Sequence, residues 1–147
     1  MNQNLKNKTF SFLKKLVIIA LLLFVFTFIE IYWAMGSFSN KISSGNPDSS
    51  FFDDAYLISV LTTGFLTIAF LLFTFIKNKY LKIGFELNCL IFIWFFWNYT
   101  IFVDRESSWS TYLFKEEILY TLTVSSFPIL VLSTVTIFAL HYITGKL

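Results

Sequence analysis

Cysteine occurs once, at Cys89, and histidine once, at His141. A single thiol excludes an intramolecular disulfide and a redox dithiol. A single imidazole, with no second His or Cys at ligand spacing, excludes a His/Cys zinc site. Charged residues make up only 14% of the chain, too little polar surface for a soluble domain of this size. No P-loop, HExxH, nucleophile elbow or Cys pair occurs. Catalysis and cofactors are therefore not expected. The lysines are too few and too dispersed to argue for nucleic acid.

What is present is apolar. Four runs dominate: Leu16–Met35, Ala55–Ile76, Ile83–Val103 and Ile118–Ile143. Each is about the length a helix needs to cross hydrocarbon, roughly 20 residues at about 1.5 Å rise. The expected fold class is an all-α integral membrane protein, a four-transmembrane-helix bundle forming one domain over 1–147. Cys89 falls inside the third run and is read as a small packing residue. The 20 phenylalanines, with abundant Asn, Lys and Ile, fit an AT-rich coding sequence before they argue for a ligand site.

The lysines give the orientation. Lys6, Lys8, Lys14 and Lys15 precede the first run, Lys77, Lys79 and Lys82 lie between the second and third, and Lys146 follows the fourth. The other side carries Lys41, Arg105 and Lys115, mixed with most of the acids. The positive-inside bias predicts an inner-membrane protein with both termini and the 77–82 turn in the cytosol. The first run is longer than a signal-peptide core and is expected to stay. Leu5, Phe10, Phe12 and Leu13 interleave with the N-terminal lysines, so residues 1–15 are expected to lie on the inner headgroups.

The short 77–82 turn predicts that helices two and three are antiparallel neighbours. Residues 36–54 read as irregular loop, with Asp53 or Asp54 capping the second helix. Trp109–Phe114 reads as a short amphipathic interfacial segment. Asp104, Glu106, Glu116 and Glu117 read as capping and solvation. No internal repeat argues for an inverted-repeat transporter.

Polar groups inside the spans are the candidate sites, because ionisable residues there are costly and tend to face the bundle. Glu30 lies about 14 residues into the first run, roughly 21 Å from its inner end. Asn98 falls at similar depth, which predicts either a structural pair or a proton- or cation-binding carboxyl. Glu86 and His141 share a depth near the inner end and form a candidate pair, with Lys82 one turn before Glu86. Snorkelling to the headgroups is the plainer alternative. Ser59, Thr63, Thr67 and Thr74 form a candidate stripe on the second helix, for packing or for lining a pore. The fourth run adds further hydroxyls and Pro128, where a kink is expected. Phe92, Trp94, Phe95, Phe96, Trp97, Tyr99 and Phe102 read as lipid-facing or subunit-contact surface.

The expected function is a non-enzymatic module that senses, anchors or protects at the membrane. Its expected partners are the lipid bilayer, a second copy of itself (a homo-oligomer) and a cytosolic protein. The setting, a bacterial accessory system such as anti-phage defence or toxin immunity, rests on analogy of size and topology. The alternative is a small oligomeric channel or proton- or cation-coupled transporter using Glu30 and the hydroxyl stripe.

Overall fold

The computed structural model describes residues 3–146, with side chains described for 9–143 and 145. Expectations resting on the side chains of Leu5, Lys6, Lys8 and Lys146 lie outside the described residues. The described chain is all helix and loop, with no strand. Helix α1 spans Gln3–Met35, α2 Phe51–Phe73, α3 Lys79–Arg105 and α4 Phe114–Lys146, with 3-10 turns at Gly36–Phe38 and Ser107–Trp109. All four helices are long and apolar enough to cross a membrane.

The ends of the helices are set by caps rather than by hydropathy. Ser50 Oγ accepts from the Asp53 N–H at 3.1 Å, and Asp53 Oδ2 accepts from the Ser50 N–H at 3.2 Å. This capping box starts α2 at Phe51, before the apolar run begins. Asn78 Oδ1 accepts from Tyr80 and Leu81, so α3 starts at Lys79 and not at Ile83. Glu116 does the same for the Leu113 N–H at 2.9 Å, just ahead of α4. One expectation changes here. The basic N-terminal stretch is continuous with α1, with no Gly or Pro in residues 3–35. Pro128 lies inside α4, which continues as helix to Lys146.

Helix α1 packs most extensively on α2 and α4, and α3 packs on α4. The α2–α3 contact, despite the short connection, is lighter. One core cluster centres on Leu23, Leu66, Leu90 and Trp94, all fully buried. A second, toward the Met35 end of α1, centres on Ile31, Met35, Ala55 and Phe102. Cys89 is half-buried against the first.

The aromatic half of α3 is not uniformly outward. Leu90, Trp94, Asn98, Phe102 and Arg105 are buried at helical spacing, whereas Phe92 and Phe96 are exposed. Trp94 and Phe102 are therefore core residues, contrary to the lipid-facing expectation. Polarity is distributed inside-out. Thr27, Glu30, Asn98, Ser125 and Thr136 are fully buried, while Phe65, Phe92, Phe127 and Phe138 are more than half exposed. That is the arrangement an apolar solvent favours, since exposed side chains then need not bond water and polar ones need partners inside.

Candidate functional site

Two polar rungs join α1 to α3. Asn98 Nδ2 donates to Glu30 Oε1 at 2.7 Å, with both side chains fully buried. One turn away, Trp94 Nε1 donates to Thr27 Oγ1 at 3.0 Å. Thr27 and Glu30 are three apart, Trp94 and Asn98 four apart, so each pair projects from one helix face. Glu30 Oε2 and Asn98 Oδ1 have no partner. Both are acceptors. Thr27 escaped the sequence reading and Trp94 was placed on the outer surface; their helical spacing to Glu30 and Asn98 was the available signal.

A second cluster sits at the opposite end of the bundle. Glu86 Oε2 lies 2.8 Å from His141 Nε2, and Glu86 Oε1 lies 3.7 Å from Lys82 Nζ. Glu86 is buried, and Lys82 and His141 are partly exposed. All three line a cavity of about 240 Å³ that reaches from these groups to Ile19 and Phe70.

The hydroxyls of α2 differ in their surroundings. Ser59 is buried and donates to the Ala55 carbonyl of its own helix at 2.7 Å. Thr63 and Thr67 have buried hydroxyls without partners. Thr74 is exposed past the end of α2 and donates back to Leu71 at 2.6 Å. Thr74–Ile76 closes in turn-type bonds, and Thr74 still lines the same cavity as Thr67. Thr62, absent from the expected stripe, is buried with its hydroxyl also unpartnered. On α4, Thr121, Ser125 and Thr136 donate to carbonyls four residues earlier.

The loops at the Met35 end of α1 form a tied cap that the sequence reading missed. Arg105 is 2% exposed. Its guanidinium pairs with Asp54, donates to the carbonyls of Lys41 and Ser49, and lies 5.4 Å over the Phe51 ring. Asp104 accepts from Ser44 Oγ and from the Gly45 N–H, both at 2.9 Å. Lys41 meets Glu106 at 2.7 Å, and Trp109 Nε1 donates to the Ile42 carbonyl at 3.0 Å. The hydrogen bond to Glu106, aided by the same charge, holds the Lys41 ammonium above its ordinary range. Tyr99 and Ser107 both donate to Glu117. Asp104, Glu106 and Glu117 thus tie loop to helix rather than merely facing solvent. Residues 109–113 form the end of a 3-10 turn and an irregular stretch, and Phe114 begins α4.

No set of three His, Cys, Asp or Glu side chains placed to hold a metal occurs among the described residues. Comparison with protein-family models, curated proteins and solved structures finds no match.

Proposed function

We propose that this chain is a non-catalytic module of the inner membrane, with both termini cytosolic, that acts through a protein partner. The observation that carries this reading is the filled interior. Leu23, Leu66, Leu90 and Trp94 are fully buried at one level, and Thr27, Glu30 and Asn98 are fully buried beside them. Those polar groups bond helix to helix, as packing groups in a lipid-solvated bundle do. The lysine distribution supports the orientation. The 77–82 turn and the chain ends are the cytosolic surface for a partner. Self-association belongs to the same reading, with the exposed face bearing Phe85, Phe92 and Phe96 assigned to it. An accessory setting such as defence or toxin immunity rests on size and topology alone.

Two measurements test this. Thiol labelling in a Cys89→Ser background should find Lys79→Cys protected from outside the cell and Ser44→Cys reactive. Site-specific crosslinking at Lys79 should trap a defined partner, and charge reversal at Lys77, Lys79 and Lys82 should abolish it. Labelling of Lys79→Cys from outside, or the absence of any specific crosslink, rejects the proposal.

A second reading is a proton- or cation-conducting oligomer. It is favoured by the unpartnered oxygens of Glu30, Asn98, Thr62, Thr63 and Thr67. Proton or potassium flux in liposomes that falls in both Glu30→Gln and Thr63→Val supports it. Flux equal to that of empty liposomes removes it.

A further inference from the structure

The cavity beside Glu86 and His141 is lined by all four helices. Phe12, Leu16 and Ile19 come from α1, Thr67, Phe70 and Leu71 from α2. Lys15, Lys82, Glu86 and His141 contribute its polar groups. Its volume of about 240 Å³ is below the roughly 300–1,000 Å³ of pockets that enclose a drug-sized molecule. It suits one segment of a larger ligand. Thr67 and Thr74, the C-cap of α2, are seven residues apart, so the wall runs about 10 Å along α2 and its cap.

The two ends of the cavity differ in chemistry. The deep end is mainly apolar, with Ile19 and Phe70 in the first core cluster and its packed neighbours, and Thr67 adds one buried hydroxyl. The shallow end bears two lysines against one carboxylate. Glu86 is engaged by His141 at 2.8 Å, and its contact with Lys82 is longer, at 3.7 Å. Lys15 forms no ion pair among the described residues. A net cationic rim over an apolar slot complements an anion joined to a hydrocarbon chain. A hydrated free anion would leave the slot unfilled, and an uncharged lipid would leave the lysines unmatched.

We propose that this cavity is a binding site for an anionic phospholipid. One acyl chain enters between α1 and α2, and the phosphate lies between Lys15 and Lys82. The Glu86–His141 pair closes the α3–α4 side and leaves Lys82 able to turn toward the headgroup. The site is independent of which protein partner the module serves, because lipid binding is read on the isolated chain.

The test is native mass spectrometry of the purified, delipidated full chain titrated with dioleoyl phosphatidylglycerol or dioleoyl phosphatidylcholine. One saturable phosphatidylglycerol site is expected. The double variant Lys15→Gln/Lys82→Gln should weaken it about tenfold or more, with circular dichroism unchanged. Leu16→Trp, which fills the slot and keeps both lysines, should remove the preference for dioleoyl over dihexanoyl phosphatidylglycerol. Equal binding of the two headgroups overturns the proposal. So does a Leu16→Trp protein with intact chain-length preference, and this arm decides the matter if the double variant fails to fold. Laurate binding without phosphatidylglycerol binding also overturns it.

Discussion

The guanidinium of Arg105 at the end of α3 pairs with the carboxylate of Asp54 at the start of α2. The two residues are 51 apart in the chain, and the same guanidinium holds two carbonyls of the loop that precedes α2. Arg105→Met should destabilise the protein by about 1.5–3 kcal/mol, the range for hydrogen bonds to charged groups. Arg105→Lys should recover only part of this, since an ammonium lacks the planar fork. Unfolding in mixed micelles measures both. Equal stability of Arg105→Met and wild type would contradict the cap described above.

Asp104 anchors the loop through Ser44 and Gly45. Asp104→Ala should therefore free residues 43–48 without unfolding the helices. Amide exchange should rise in that loop and stay unchanged in α1 and α4. Uniform exchange across the chain would show that Asp104 supports the whole bundle instead.

Glu30 and Asn98 are a linked pair, so their substitutions should not add. A double-mutant cycle of Glu30→Gln and Asn98→Ala should give a coupling of about 0.6 kcal/mol, the average for hydrogen bonds between membrane helices, and at most about 1.7 kcal/mol. A coupling of zero would mean that the 2.7 Å contact contributes no pairwise stability.

The two faces of α3 should respond differently to truncation. Phe102 is fully buried and Phe92 is 75% exposed. Phe102→Ala should cost about 3–5 kcal/mol as a core cavity, and Phe92→Ala within about 0.5 kcal/mol in the dissociated monomer, where that face is surface. The comparison is made by detergent unfolding. A large loss at Phe92 would point to a subunit contact on that face.

The four long helices were legible because a run of about 20 apolar residues has few other uses. Depth was legible too, since helix rise places Glu30 level with Asn98 and Glu86 level with His141. Rotation about each helix axis was not. In α3 nearly every residue from Leu90 to Phe102 is apolar or aromatic, so hydropathy does not separate Trp94 from Phe92. Helix ends were misplaced for the same reason. Ser50 and Asn78 set them, and both lie outside the apolar runs. The role of Arg105 was invisible because its partners Asp54, Lys41 and Ser49 are distant in sequence and only meet once the loop folds back.

The hydroxyl groups of α4 have a consequence for biogenesis. Thr121, Thr123, Ser125, Thr134 and Thr136 each donate to a carbonyl of their own helix. That segment carries those polar atoms already sheltered, and can reside in hydrocarbon before any companion arrives. Glu30 and Asn98 have no such refuge within α1 or α3. Glu30 and Asn98 are 68 residues apart, so this pair, unlike the α4 hydroxyls, needs two helices to be present before either group is bonded.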